Sequence, residues 1–473
     1  MLAVARALYA RDLEIAQAPI QGCARWERNR PAPGCAARRS FTHGAPGIPL
    51  GPCQRPDARG GIRSQRNPCP AFHSNGRISD YSPGPRRSRH LPRPPFWPVS
   101  TQGLRLALAG GGTGGHLVPG LALLDHWAQQ KGSTPLDLLW FQSGRAVEQR
   151  VLEGLEARLA PTPVERVQLS LEPPGGGAPS TARVLLHLLP QALLARRALI
   201  AHKSDVLLGL GGLTSVPAAL AARSLGIPIA LLEINATPGR ATRLLAPLTK
   251  RVFHATEGTC PPKSSERHKI TGAPVAPAFR RQRTEDLAAR KALGFDPTRP
   301  LLVVLGGSQG AQSLNRFITQ HDHEFAAQGI SVFQVVGPKR SSEGAPPRPG
   351  LQVVEYSRDV PALLAAATLV LCRGGASTLA EVGAVGTPAV VVPYPHHADR
   401  HQERNAALLG EGCLIVQEQD LNQDRCAQLG ELLSGKGEEQ RSAMRRALGQ
   451  ASPPNAGESI LREIQGLCAG SLA

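Results

Sequence analysis

The sequence predicts an α/β protein with two doubly wound, Rossmann-like domains facing a common cleft. Three observations support this. Apolar strands run into glycine-rich turns and then helical segments at 104–116, 205–217 and 301–313. Strand and helix patterns alternate from about Leu104 onward, as a parallel sheet covered by helices requires. The alternation is interrupted once, by the proline-punctuated stretch 272–300, and then resumes.

In chain order, residues 1–100 read as an extension that is disordered or not part of the native protein. They are rich in Pro, Arg, Gly and Ser, and cannot bury enough apolar surface to offset the entropy of ordering. A first domain is expected over 101–280. It contains the strand LRLALAG, the helix HLVPGLALLDHWAQQ and the strand LDLLWFQS, followed by the helical run 183–203. DVLLGL, VPAALAARSLG, IPIALLEIN and RVFHA then continue the β/α alternation. A second domain is expected over 281–473, with strands in LLVVLGG, SVFQVVG, LQVVEYS, ATLVLCR, AVVVPYP and CLIVQE. Ligands of open parallel sheets bind at the carboxyl ends of the strands, which here face the interdomain cleft.

The formal charge of +18 is unevenly spread. The first 100 residues hold 16 Arg, no Lys and 5 acidic residues, so +11 lies there and +7 in the remainder. No aromatic-interleaved basic module or recognition helix occurs, which sets nucleic acid aside as a partner. The nine Cys show no CxxC or Cys/His spacing, and Cys372 in TLVLC reads as a buried thiol. No apolar run reaches the roughly 20 residues of a spanning helix, so membrane contact is expected to be peripheral.

The motifs favour phosphate-bearing substrates. A glycine turn after a buried strand lets backbone N–H groups and the positive end of the next helix approach a phosphate. GGGTGGH holds a formal GxGxxG through Gly110, Gly112 and Gly115. The second strand nevertheless ends in Gln142 and Ser143, without the acidic residue a nicotinamide or flavin site needs for its ribose. His116 opens the following helix, where its charged form is disfavoured and a neutral base is suited. GLGG carries Gly209, Gly211 and Gly212, with Thr214 and Ser215 as further candidate anion donors. GGSQGA frames Ser308 and lacks the GK[ST] of a Walker loop. In GGASTLAE, the turn from Ala376 through Ser377, Thr378, Leu379 and Ala380 leads to Glu381, whose carboxylate suits a pair of ribose hydroxyls. No D-x-D occurs and Asp322–Glu324 reads as a solvated helix face, so no metal and no cofactor are expected.

Together these residues resemble the bacterial peptidoglycan N-acetylglucosaminyltransferase family, whose members have the glycosyltransferase B fold. The resemblance covers roughly 104–465. It rests on GGTGGH (111–116), GLGG (209–212), LEIN and PGR (232–240), GAPV (272–275), GGSQGA (306–311), GGAST..E (374–381) and DRHQ..NA (399–406). It implies inverting transfer of N-acetylglucosamine from its uridine diphosphate donor to the C4 hydroxyl of polyprenyl-diphosphate-linked N-acetylmuramoyl pentapeptide, in peptidoglycan synthesis. It also implies peripheral attachment to the cytoplasmic face of the cell membrane, at a surface with anionic lipids. By motif, Thr113, Gly114, Gly115, Asn235 and Gln402 would contact the donor sugar, and Ser308 its diphosphate. Residues 376–381 would cradle phosphate and ribose. Gly112, Gly211 and Gly212 would face the acceptor diphosphate, and His116 is the candidate base.

The chain departs from the family pattern at Ala273 and Ala276, where Asn and Arg are usual, and at Leu232 and Ile234 in the motif ending at Asn235. Arg280 and Arg281 are the candidates to replace the missing Arg. The helical run 183–203 combines leucines with Arg196, Arg197, His202 and Lys203, and reads either as a lipid-facing edge or as an ordinary packed helix. Two other functions remain open at this level: a glycosyltransferase making diacylglycerol glycolipids, and a non-catalytic nucleotide-sugar-binding subunit.

Overall fold

The computed structural model describes residues 103–469 apart from 113, 131–134, 172–180, 262–265, 281–285, 347, 398 and 452–454. The expected N-terminal extension, Thr113 and Arg281 lie outside the described residues.

In the first lobe, β1 (Leu104–Gly110) leads into α1 (Gly114–Gln129), and β2 (Leu136–Gln142) into the short α2 (Ala146–Val151) and α3 (Leu155–Leu159). β3 (Val164–Gln168) precedes the long α4 (Thr181–His202), and β4 (Val206–Gly211) precedes α5 (Ser215–Ser224). The lobe continues through β5 (Ile229–Glu233), α6 (Arg240–Leu245), β6 (Arg251–His254) and β7 (His268–Ile270). The seven strands pair in parallel in the order β3-β2-β1-β4-β5-β6-β7. β3 and β7 stand at the two edges. Both are short and partly exposed, without the continuous apolar run that marks a buried parallel strand, and neither was expected from sequence.

After the linker and α7 (Asp286–Ala292), the second lobe repeats the scheme. β8 (Leu301–Leu305), α8 (Gln312–Ala327), β9 (Ser331–Val335) and β10 (Leu351–Val354) form one half. α9 (Val360–Ala366), β11 (Leu369–Cys372), α10 (Ala376–Val385), β12 (Ala389–Val391), α11 (His401–Ala407) and β13 (Cys413–Ile415) form the other. These six strands are also parallel, in the order β10-β9-β8-β11-β12-β13. α12 (Gln423–Leu433), α13 (Glu438–Ala451) and α14 (Ala456–Ala469) complete the chain's described part.

The strand order reverses between β1 and β4 in one sheet and between β8 and β11 in the other. These switch points open a crevice at the carboxyl ends of the strands. All four glycine turns singled out in the sequence follow these four strands. Each sheet is sandwiched between two apolar cores, as parallel sheets buried on both faces require.

The last helix does not stay with the second lobe, an arrangement that a division at residue 281 does not anticipate. Ile460, Leu461, Ile464 and Cys468 of α14 join Leu117, Leu124 and Trp127 of α1 in the core of the first lobe. Arg251 and Lys269 of the same lobe pair with Glu463 at 3.1 and 2.5 Å. Asp322 also departs from expectation. It is buried and accepts two 2.7 Å bonds from Arg348, because the loop before β10 brings the guanidinium onto α8.

Ile464 is fully buried in the first lobe's core. Its replacement by alanine should cost about 2–5 kcal/mol of that lobe's stability, read from the urea midpoint at unchanged slope.

Candidate functional site

The first lobe's half of the cleft is built by two glycine turns that touch. Gly212 has φ +74°, and a Cβ there would overlap the carbonyl oxygen of Gly111 and press on the His116 ring at 3.1 Å. Only glycine allows that approach. His116 sits in the first turn of α1 with its Nδ1 2.9 Å from the Gly111 carbonyl oxygen. A carbonyl can only accept, so Nδ1 carries the proton and donates, and Nε2 is the accepting nitrogen of the neutral ring. Burial lowers the imidazole pKa below its ordinary 6.5, against the opposing pull of the Gly111 bond and of Glu233 and Glu148.

Two buried carboxylates that were not singled out from sequence hold this floor together. Glu148 of α2 is completely buried and accepts from the Gly112 N–H, the Ser143 hydroxyl, and the N–H groups of Ser143 and Gly144, the last two at 2.8 Å each. The N–H of Gly112, expected to face the acceptor diphosphate, is therefore turned inward to Glu148. Arg145, at the mouth of the same turn, donates to the Gly112 carbonyl at 2.8 Å. Glu233 ends β5. It accepts from the backbone and side chain of Asn235 at 3.1 and 3.0 Å, from Gly239 N–H at 2.7 Å and from the Thr242 hydroxyl at 2.7 Å. This network fixes the loop that presents Asn235.

Thr214 and Ser215 are buried. The Ser215 hydroxyl lies 2.7 and 2.8 Å from the carbonyls of Ala109 and Gly211, so it braces the turn instead of facing an anion.

The second lobe supplies the opposite wall. Ser308, on the turn after β8, approaches the first lobe so closely that a Cβ on Gly114 would lie 2.8 Å from its own Cβ. α10 begins at Ala376 and points its N-terminus into the cleft, and the Ser377 hydroxyl donates to the Gly115 carbonyl at 3.2 Å. Glu381 lies one turn further along α10, where burial pushes its carboxyl up to about 8. Gln402 accepts through Oε1 from Gly374 N–H at 3.2 Å and Tyr394 N–H at 2.9 Å, which joins the turn after β11 to the loop after β12. Below this turn, the buried Arg373 donates to the carbonyls of Val392 and Pro393 and pairs with Glu418 at 2.5 Å.

Asn405 bridges the two lobes. Its Oδ1 accepts from Ala236 N–H at 2.7 Å, while its Nδ2 donates to the Gly374 carbonyl at 3.0 Å and lies 3.4 Å from Asn235 Oδ1. Arg404 donates to Thr237 at 3.2 Å, and Arg358 pairs with Glu153 at 2.6 Å. The structure thus gathers His116, Gly114, Gly115, Asn235, Ser308, residues 376–381 and Gln402 around one cleft. An adjoining cavity of about 340 Å³ is lined by Ala273, Val275 and Arg280 of the linker, Ile234 and Asn405, and the small residues Ala376, Ala380 and Gly383 of α10. Arg280 reaches this cavity and lies 3.6 Å from Glu458.

Residues 106–254 match the glycosyltransferase family 28 N-terminal domain, and residues 301–455 match its C-terminal domain. The chain is 38% identical over 339 residues to the UDP-N-acetylglucosamine–N-acetylmuramyl-(pentapeptide) pyrophosphoryl-undecaprenol N-acetylglucosamine transferase of Frankia casuarinae, covering 67% of this chain and 84% of that one. The protein of the same name from Magnetococcus marinus is 37% identical over 321 residues, covering 64% and 81%. Among solved structures, Acinetobacter baumannii MurG aligns with a TM-score of 0.56 at 25% identity, over 77% of this chain and 99% of that one. A UDP-GlcNAc 2-epimerase from Neisseria meningitidis, at 15% identity and a TM-score of 0.54 over 77% and 100%, shares the fold alone.

Glu148→Ala would leave three backbone N–H groups of the glycine floor without their acceptor. It should cost about 3 kcal/mol or more in thermal or urea unfolding. Glu148→Gln, which keeps part of the acceptor set, should lose less.

Proposed function

The chain belongs to the family of UDP-N-acetylglucosamine–N-acetylmuramyl-(pentapeptide) pyrophosphoryl-undecaprenol N-acetylglucosamine transferases, and from that membership we propose how its cleft works. The enzyme transfers N-acetylglucosamine from UDP-N-acetylglucosamine to the lipid-linked muramoyl pentapeptide in peptidoglycan synthesis. The observation that carries the mechanism is the fixed tautomer of His116, whose Nδ1–H is committed to Gly111.

The acceptor C4 hydroxyl gives its proton to His116 Nε2 as its oxygen attacks the anomeric carbon from the face opposite the diphosphate. The bond from that carbon to the diphosphate oxygen breaks, the electron pair leaves with UDP, and a β linkage results. The positive N-terminus of α10, with Ser377 and Thr378, and the turn bearing Ser308 stabilise the charge on the leaving diphosphate. Asn235 and Gln402 hold the donor sugar. Glu381 accepts from the ribose hydroxyls, and Arg280 supplies a cation near the place where Ala276 leaves none. Gly211 and Gly212, with the mouth of the Gly112 turn, face the acceptor diphosphate.

Among the described residues no helix is long and apolar enough to cross a membrane. The lipid-linked acceptor is met instead by α4. Leu189, Leu193 and Leu194 are exposed at 51%, 51% and 42%, on the face that continues into exposed Arg197 and, beside it, Arg196. Such an edge inserts apolar side chains between lipids while each Arg adds about 1 kcal/mol of attraction to an anionic surface. This edge supports peripheral attachment at the cytoplasmic face of the membrane.

Transfer of radiolabelled N-acetylglucosamine to a short-chain lipid-linked muramoyl pentapeptide tests the reading. Wild type should turn over and His116→Ala should lose about 10²–10⁴-fold in kcat. Equal rates for the two would remove His116 as base, and turnover on diacylglycerol alone would replace the acceptor. Because burial lowers the folded imidazole pKa, the acid limb of kcat/KM should fall at a pH below the 6.5 of an ordinary imidazole. The same sign means that protonation favours the unfolded chain as pH drops through this range.

Glu381 provides a second measurement. With its carboxyl at about 8 in the free protein, it is protonated at neutral pH. Accepting from two ribose hydroxyls favours the carboxylate. Donor binding at pH 7 should therefore release a proton, seen as buffer-dependent heat in calorimetry. Affinity should rise with pH up to about 8 and then level off. Glu381→Gln should bind more weakly and without this pH dependence.

A further inference from the structure

The loop after β12 and the first residue of α11 carry a side-chain set that the transfer reaction does not use. His397, Asp399 and His401 alternate along this stretch, and each offers one donor atom, all within 4.8 Å of one another. Two of the three already touch: Asp399 Oδ1 lies 2.8 Å from His401 Nδ1. The His397 and His401 rings are 4.4 Å apart between centroids, and Tyr394 packs edge-on to His397 at 5.0 Å. Arg400, which interrupts the set in sequence, is held away from it. It adopts a left-handed backbone with φ +45°, and its guanidinium makes 2.6 and 2.7 Å bonds to Glu403. Its charge is thereby offset by Glu403 instead of facing the two imidazoles and the carboxylate.

We propose that His397, Asp399 and His401 bind one divalent transition-metal ion of the zinc type and thereby fix the start of α11, which carries Gln402. Two imidazoles and one carboxylate suit zinc, cobalt or nickel better than magnesium or calcium, which take oxygen ligands. A tetrahedral ion with ligands at about 2.0–2.1 Å needs donor atoms roughly 3.4 Å apart. The Asp399–His401 pair is already closer than this, and a small inward turn of the exposed His397 ring completes the set. The ion takes the position of the proton now lying between Asp399 and His401, and the neutral His401 ring then carries its proton on the other nitrogen. The fourth position faces solvent. The ion is not part of the transfer chemistry. It acts on the first residue of α11, one residue before Gln402, whose Oε1 joins the turns after β11 and β12. The site does not depend on the reading of the reaction, because it can be measured without substrate.

The test is a titration of the full chain with Co²⁺ alone, followed in the visible spectrum and back-titrated with Zn²⁺. Wild type should show a saturable absorption change that Zn²⁺ abolishes. His397→Ala and His401→Ala should each weaken the binding responsible for it at least tenfold, and the triple variant H397A/D399N/H401A should lose that component. Thermal melts report whether each variant is folded. In wild type, Zn²⁺ should also protect His397 and His401 from acylation by diethylpyrocarbonate, mapped by mass spectrometry, which needs no variant. An identical Co²⁺ titration in the triple variant, or acylation of both histidines at the same rate with and without Zn²⁺, would overturn the proposal.

Discussion

The cleft depends on one close approach, that of the turn after β4 to the turn after β1. Without a side chain at Gly212, the backbone comes onto the Gly111 carbonyl, and the same carbonyl accepts the hydrogen bond from His116 Nδ1–H. One contact therefore sets the distance between two turns, the rotamer of the imidazole and its tautomer. The carboxylate of Glu148 then ties the adjoining Gly112 to the end of β2. A buried carboxylate is tolerable only where several donors surround it, and here they do. The floor is held because the Gly111 carbonyl, the Gly112 N–H and the Glu148 carboxylate are already committed, which is how a site is preorganised before substrate arrives.

Much of this was legible in the sequence, for a local reason. A strand, a glycine turn and a helix are contiguous, so the four turns and the helices after them could be read directly, and both parallel sheets followed from their alternation. Gly114, His116, Ser308 and Glu381 belong to such units. Glu148 and Glu233 do not. Their partners are backbone N–H groups that come together only when strand ends meet, and nothing in AVEQRV distinguishes a buried glutamate from a solvated one. Asp322 shows the same limit from the other side: its partner Arg348 lies 26 residues away, so an exposed helix face was the natural expectation. The edge strands β3 and β7 were missed because strands at a sheet margin need not be apolar.

Among the described residues, polar side chains of the second lobe reach the first at Ser377, Arg404 and Asn405. Asn405 is the central one, since a single amide bonds to both lobes. Its hydrogen bonds each contribute about 0.5–1.5 kcal/mol net, and because Asn405 is buried they must be replaced and not merely lost. They can be exchanged for bonds to a ligand without disturbing either apolar core. Both lobes keep their own buried cores, with α14 lending its apolar face to that of the first.

The return of α14 to the first lobe also has a consequence for synthesis. A ribosome releases β1 and α1 about 350 residues before Ile460, Leu461 and Ile464 exist. At ordinary elongation rates of about 5–20 residues per second, the nascent first lobe shows the apolar flank of α1 to its surroundings for roughly 20–70 s. The lobe that begins first is thus the last to be finished, and the whole second lobe is made while that flank waits for its cover.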